Sequence, residues 1–152
     1  MILALDLGTK TGWAATTIMD DIVSGVQDYS TKRHEGGGMR YLKFRRWLTE
    51  IKQIGITEVY YEEVRQHAGT QAAHVYGGFQ ATLTAWCEHH EIPYQSIPVG
   101  TIKKFATGKG NASKEMMIES AREAGFDVSD DNEADAVHLL RYVLDDLSVD
   151  NG

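Results

Sequence analysis

The chain has 152 residues, of which 42% are apolar, and this size suits one domain with a hydrophobic core rather than two ordinary domains. We therefore expect a single domain over residues 1–152. One cysteine, Cys87, excludes an internal disulfide, and no apolar run approaches the length needed to span a membrane. The short apolar start lacks the features of a signal peptide, so we expect a cytoplasmic protein.

The net charge of -7 is unevenly distributed. Residues 1–114 carry 13 Lys and Arg against 11 Asp and Glu, whereas residues 115–152 carry 2 against 11. The positive field of the first region is compatible with a polyanionic partner such as nucleic acid. A solvated basic helix face beside an acidic C-terminal helix explains the same pattern, and charge alone favours this second explanation.

The first third of the chain predicts three strands that follow one another as an antiparallel meander. A turn over residues 8–12 separates the first two. The predicted strands are Ile2–Asp6, Trp13–Ile18 and Ile22–Tyr29.

The remainder alternates between helical and extended patterns. The predicted helices cover Met39–Ile51, Gln71–His89, Pro98–Phe105, a segment from the N-cap Ser113 to Gly125, and Asp130 or Asp131 to Asp146. The predicted fourth and fifth strands are Ile56–Glu62 and Tyr94–Ile97. Because a helix precedes the fourth strand, we expect it to run parallel to the first. This order predicts an α/β fold: a mixed five-stranded sheet with helices on both faces.

Acidic residues stand at the edges of several apolar segments. Asp6 and Glu62 end two predicted strands, while Asp131 and Asp135 lie four residues apart at the start of the last helix. Burying a carboxylate without a partner is costly, so their convergence favours a divalent metal site acting on phosphates. Alternatively, both acids have only local roles in the helix: Asp131 is its N-cap, and Asp135 is a first-turn acid that interacts favourably with the helix dipole. His138 could reach the same helix face, although an ordinary buried histidine is the favoured interpretation.

Four segments together resemble a known superfamily. They are Ile2–Ala14, Tyr61–Val64, Thr101–Lys114 and Asp131–Ala136. Their motifs and intervals are similar to those of the RNase H superfamily, and more closely to the RuvC-type Holliday-junction resolvases, including small phage-encoded ones. The first motif alone is weak, because sugar kinases and Hsp70-like ATPases begin in much the same way. The lysine segment and the terminal acidic pattern are more specific. The resemblance implies an RNase H-like fold over nearly the whole chain.

The resemblance also implies a set of site residues. Asp6, Glu62 and Asp135 match the family's catalytic, metal-binding acids. The family's fourth acid lies three residues before the last one, where this chain has Asn132, and Asp131 stands one residue earlier. Either residue could be the fourth ligand, and we favour Asp131 because a formal charge holds Mg²⁺ better. Two lysines match the family's phosphate-facing positions: Lys103 and Lys114.

The implied function is cleavage of branched DNA, above all four-way junctions, by a crossover-junction endodeoxyribonuclease. Two Mg²⁺ ions, which Mn²⁺ would replace, are the implied cofactors. The resemblance further implies a homodimer located with the nucleoid. Residues 74–79 offer small and aromatic side chains for a tight helix contact, either between two copies or within one chain.

Three other functions are compatible with parts of the pattern. A YqgF-like RNA-processing nuclease would share the fold and the opening motif. A phosphotransferase of the sugar-kinase and Hsp70 type would need a second lobe, which 152 residues do not supply. A junction-binding module without catalysis is conceivable because Asn132 replaces an acid.

Overall fold

The computed structural model describes residues 1–150, which contain a five-stranded mixed sheet with the strand order β3-β2-β1-β4-β5. Strands β1, β2 and β3 form the antiparallel meander, and β4 and β5 continue the sheet in parallel with β1. The strands are β1 (Ile2–Asp6), β2 (Lys10–Thr16), β3 (Ile22–Asp28), β4 (Glu58–Glu63) and β5 (Tyr94–Pro98). The predicted α/β class and the parallel pairing of the first and fourth strands are confirmed.

In the described part of the chain, five helices cover the two faces of the sheet. They are α1 (Gly38–Lys52), α2 (Thr70–His89), α3 (Val99–Thr107), α4 (Lys114–Glu123) and α5 (Asp131–Asp150). Alternate residues of β1 face opposite sides, as the pleat requires. Leu3 and Leu5 pack with buried residues of α1 and α2, whereas Ala4 packs with α3, α4 and α5. Asp6 has the same parity as Ala4 and therefore faces α5 at the end of the strand.

Residues at its N-terminus and C-terminus determine where α4 begins and ends. The Ser113 hydroxyl accepts a hydrogen bond from the backbone N–H of Met116 at 3.2 Å, which satisfies one free donor of the first turn. Gly125 follows the last turn with φ +96°, a left-handed conformation that glycine adopts without steric cost. Both residues act as the sequence predicts.

The predicted boundaries of β2 and α5 are wrong by several residues. Strand β2 begins at Lys10 rather than Trp13, because Lys10 through Gly12 pair with β3. Ile18 therefore lies in the β2–β3 turn, where it is 84% exposed, instead of ending a strand. Helix α5 continues past the predicted end at Asp146 to Asp150.

Two of the helices, α2 and α5, reach 20 residues each. Within residues 1–150, no helix combines the length and the apolar character needed to cross a membrane.

Candidate metal centre

Three carboxylates meet at one edge of the sheet. Each of Asp6, Glu62 and Asp135 offers an oxygen atom, and these oxygens all lie within 4.8 Å of one another. Glu62 is buried, while Asp6 and Asp135 are partly buried. We refer to these three residues as the carboxylate triad.

Strand pairing explains why the first two members of the triad meet. Ala4 of β1 lies opposite Tyr60 of β4, and both strands run in the same direction. Two residues further along, Asp6 and Glu62 have the same orientation relative to the pleat, so their side chains leave the same face. The carboxyl ends of neighbouring parallel strands are the usual place for a site in α/β sheets.

The position of Asp135, the third member of the triad, depends on a glycine in β2. Gly12 of β2 lies opposite Asp6 in the sheet, and a Cβ atom at Gly12 would overlap the backbone carbonyl of Asn132. The N-terminus of α5 therefore rests directly on the β2 backbone at this point. Asp135, one turn further along α5, reaches Asp6 because of this close approach. No local sequence pattern predicts this role for Gly12.

A polar network fixes the start of α5. Asp130 is the N-cap: its carboxylate accepts from the backbone N–H of Glu133 at 2.8 Å. The Glu133 carboxylate accepts in return from the N–H and hydroxyl of Ser129, both at 2.9 Å, and from the Ser24 hydroxyl of β3 at 2.6 Å. Asp130-x-x-Glu133 resembles a capping box, a signal that could have indicated this network in the sequence.

Burial and mutual repulsion disfavour the ionised triad when no cation is bound. Burial is the main reason that the pKa of Asp6 lies well above its usual value, and the charges of Glu62 and Asp135 raise it further. Burial likewise raises the pKa of Glu62, and it raises the pKa of Asp135 to about 8. The pattern is typical of a site whose negative charge needs compensation.

These donors fit a divalent cation. Oδ1 of Asp135 and Oε2 of Glu62 are buried without a hydrogen-bond partner, although buried carboxylate oxygens are normally satisfied. Hard oxygen donors from clustered carboxylates are the ligands that Mg²⁺ and Mn²⁺ prefer. Asp6, Glu62 and Asp135 can therefore hold such an ion.

The two candidates for a fourth ligand differ in their surroundings. Asp131 is one-quarter exposed, and its charge raises the pKa of all three triad carboxyls. The Asn132 amide instead donates to the Asp130 carboxylate at 3.3 Å. Because Asp130 caps the helix, the alternative in which Asp131 serves as N-cap does not hold. The charge of Asp131 therefore acts on the triad, whereas the mutual spacing within 4.8 Å is found for Asp6, Glu62 and Asp135 and does not include Asp131.

Both predicted lysines lie near the acids. The Lys114 ammonium is 3.8 Å from the Asp131 carboxylate, and the lysine side chain is 78% exposed. The positive charge of Lys103 partly counters the effect of burial on the pKa of Glu62 and Asp135. Lys103 is partly buried in α3, beside the triad.

His138 lies outside the site. It is fully buried, with Nε2 3.0 Å from the Met117 carbonyl oxygen and Nδ1 3.3 Å from Arg141. Burial lowers its pKa, so the neutral ring donates to Met117 and accepts from Arg141. The favoured interpretation of an ordinary buried histidine fits these contacts.

The small and aromatic residues of α2 pack within the chain. Tyr76 and Phe79 are buried in the core, and Gly78 lies against the Tyr41 ring of α1. The other predicted use of residues 74–79, a contact between two copies of the chain, stays a prediction.

Other solved structures share the fold that carries this geometry. No protein-family model matches the chain, and no curated protein matches it. Thermus thermophilus RuvC in complex with a Holliday junction substrate is 16% identical with a TM-score of 0.72, covering 90% of this chain and 88% of that one. The chain has the RuvC-type, RNase H-like fold.

Two further structures show the RuvC-type fold. A second Thermus thermophilus RuvC structure is 17% identical with a TM-score of 0.68, covering 90% of this chain and 89% of that one. The yeast mitochondrial Holliday junction resolvase Ydc2 is 13% identical with a TM-score of 0.57, covering 90% of this chain and 74% of that one. The predicted RuvC-type resemblance is therefore confirmed at the level of the fold.

Proposed function

We propose that this chain is a metal-dependent, structure-selective endonuclease that cleaves four-way DNA junctions. The observation that carries the proposal is the carboxylate triad, whose oxygens lie within 4.8 Å of one another at the strand edge of a RuvC-type fold. The structural neighbours with this fold include RuvC in complex with a Holliday junction substrate and the resolvase Ydc2.

Asp6, Glu62 and Asp135 would hold the metal ions, and Asp131 would be the additional ligand rather than Asn132. Two Mg²⁺ ions, or Mn²⁺ in their place, would supply Lewis-acid stabilisation of the charge on the attacking and leaving oxygens. In the hydrolysis, a bond forms between a water oxygen and phosphorus while the bond to the 3′ oxygen breaks. The products are a 5′-phosphate and a 3′-hydroxyl.

The lysines act on the phosphate. Lys103, already beside the triad, would stabilise the negative charge that grows on the scissile phosphate. Lys114 would contact the same or a neighbouring phosphate after leaving its exposed ion pair with Asp131. Exposed Lys104 and Lys109 lie in or beside the same helices and add positive charge for the DNA backbone.

Resolution of a junction requires one cut in each of two strands. We therefore propose a homodimer that presents two triads to one junction, and a cytoplasmic, nucleoid-associated location follows from such a substrate.

The decisive experiment uses a synthetic four-way junction that can migrate through many sequences, so that a preference for one cleavage sequence does not hide activity. With Mg²⁺ the wild type should make paired nicks, and Asp6→Asn should bind the junction while cleaving at least about 10³-fold more slowly. Linear duplex and structured RNA at equal concentration are the comparison substrates. Cleavage of the RNA alone would favour the YqgF-like alternative, and binding without nicking in any divalent metal would favour a non-catalytic module.

A further inference from the structure

The end of β4, where Glu62 lies, extends beyond the last residue that pairs with β1. The last residue of β4 that pairs with β1 is Tyr61, opposite Leu5. On the β5 side, pairing continues to Glu63 and Pro98. The backbone beyond Tyr61 therefore needs another partner on the side of β1, because buried N–H and C=O groups are costly to leave unpaired.

The direction of the backbone groups identifies which ones are affected. The Val59 N–H donates to the Pro93 carbonyl, on the β5 side. Because successive residues of a strand direct these groups to alternate sides, the Glu62 carbonyl and the Val64 N–H point to the β1 side. At this point β1 has already ended at Asp6.

The hydroxyl of Tyr76 on α2 takes the place of the missing strand. It donates to the Glu62 carbonyl at 2.8 Å and accepts from the Val64 N–H at 3.3 Å. One residue of a parallel neighbour would make this same pair of bonds. The ring is buried, and burial raises the pKa of Tyr76 to about 12, so the hydroxyl stays a donor.

We propose that Tyr76 is a positioning residue that holds the end of β4 so that the Glu62 carboxylate faces Asp6 and Asp135. This inference rests on the proposed metal site. Without the hydroxyl, the Glu62 carbonyl and the Val64 N–H lose their partner, and the last residues of β4 are free to shift. Groups that orient metal ligands typically change metal affinity or activity by about 10- to 100-fold.

The chain offers a matched control. Tyr61 lies on β4 itself, and its hydroxyl accepts from the Gln80 amide of α2 at 3.2 Å. Tyr61→Phe therefore removes a hydroxyl from the same strand–helix contact without touching the backbone bonds of Glu62 and Val64. Both tyrosines are buried, so the two substitutions have similar effects on packing.

The test measures Mn²⁺ binding to metal-free protein by the electron paramagnetic resonance signal of free Mn²⁺. Tyr76→Phe should weaken Mn²⁺ binding about 10-fold or more, while Tyr61→Phe should stay within about 2-fold of the wild type. Equal Mn²⁺ affinity in both variants would overturn the role of Tyr76 and leave the proposed function intact. A wild type that binds no Mn²⁺ would overturn both.

Amide hydrogen exchange gives a second readout that needs neither metal nor activity. In the metal-free wild type the Val64 amide should be protected, and in Tyr76→Phe it should exchange at least about 10-fold faster. Tyr61→Phe should leave it protected. An unprotected Val64 amide in the wild type would overturn the inference even if Tyr76→Phe failed to fold.

Discussion

The two faces of the sheet are packed with different kinds of side chain, and only one of them carries the triad. The core on the α1 and α2 face contains the large rings of Tyr29, Phe44, Tyr61, Tyr76, Phe79 and Trp86. The core on the α5 face, called the alanine face below, combines larger non-aromatic side chains such as Leu139 and Leu140 with six buried alanines: Ala4, Ala14, Ala112, Ala121, Ala134 and Ala136. Small side chains allow a helix to approach closely. We infer that the aromatic face mainly provides stability, whereas the alanine face sets the distance between the carboxylates.

The comparison predicts the largest loss of stability on the aromatic face. The Phe79 ring is fully buried against Phe44 and Tyr41, with ring centroids 5.3 and 5.1 Å away. Phe79→Ala should lower the free energy of unfolding by about 3–5 kcal/mol, because it leaves a cavity. Chemical denaturation measures this loss, and Ile54→Ala, at a residue 45% exposed, is the control. Folded Phe79→Ala that had lost Mn²⁺ binding would contradict the division between the faces.

A smaller loss of stability with a larger loss of activity is expected on the alanine face. Gly12→Ala places a methyl group against the Asn132 carbonyl, so α5 must move away from β2. We expect a loss of about 1–3 kcal/mol from overpacking. A displacement of Asp135 by about 1 Å would reduce junction cleavage about 10²-fold.

A glycine-to-alanine substitution on the aromatic face should raise the free energy of unfolding instead of lowering it. Gly77 of α2 has open space around the position of a Cβ atom. Gly77→Ala should therefore stabilise the protein by up to about 1 kcal/mol through helix propensity and leave Mn²⁺ binding unchanged. If Gly12→Ala behaved like Gly77→Ala, the close approach of α5 would not be what positions Asp135.

The part of the site that could be predicted from sequence is the part that depends on single elements. Asp6 and Glu62 end apolar strands, and the helix between those strands indicates their parallel pairing. The contact of Gly12 with Asn132 depends on residues 120 positions apart, and no local pattern records it. The Tyr76 bond to Glu62 could not be predicted either, because it arises from where β1 ends relative to β4. Asp130 rather than Asp131 caps α5, a choice that neighbouring acids leave open until the cap geometry is known.

The pH dependence of stability should report the repulsion within the triad. Folding raises the pKa of Asp135 to about 8, so between pH 4 and 8 the folded state binds more protons than the unfolded state. The contribution of this group to metal-free stability therefore falls as pH rises. Buried His138, whose pKa is lowered, contributes with the opposite sign at acidic pH, so the informative quantity is the difference between wild type and Asp135→Asn.

Asp135→Asn should stabilise the metal-free protein, and its advantage over the wild type should grow between pH 5 and pH 8 by on the order of 2 kcal/mol. At pH 8, Mg²⁺ should raise the melting temperature of the wild type and have little effect on the variant. Thermal unfolding in EDTA and then in Mg²⁺ measures both effects. An advantage that is constant with pH would mean that the Asp135 carboxyl titrates normally.

Two serine–carboxylate hydrogen bonds of equal length separate the effect of burial from the effect of hydrogen-bond geometry. The Ser24 hydroxyl donates to the Glu133 carboxylate at 2.6 Å, and the Ser30 hydroxyl donates to the Asp28 carboxylate at the same distance. Glu133 is buried and has no cationic partner within 4.0 Å among residues 1–150, whereas Asp28 is exposed. Ser24→Ala leaves a buried carboxylate oxygen without its donor, and the loss should be about 1–2 kcal/mol.

Ser30→Ala should leave stability unchanged within error, because water replaces the lost donor at an exposed carboxylate. Since the Ser24 bond also ties β3 to the start of α5, Ser24→Ala should weaken Mn²⁺ binding by a few-fold. Equal effects of the two serine substitutions on unfolding would mean that the Glu133 network does not hold α5 in place. The position of Asp135 would then depend on the contact at Gly12 alone.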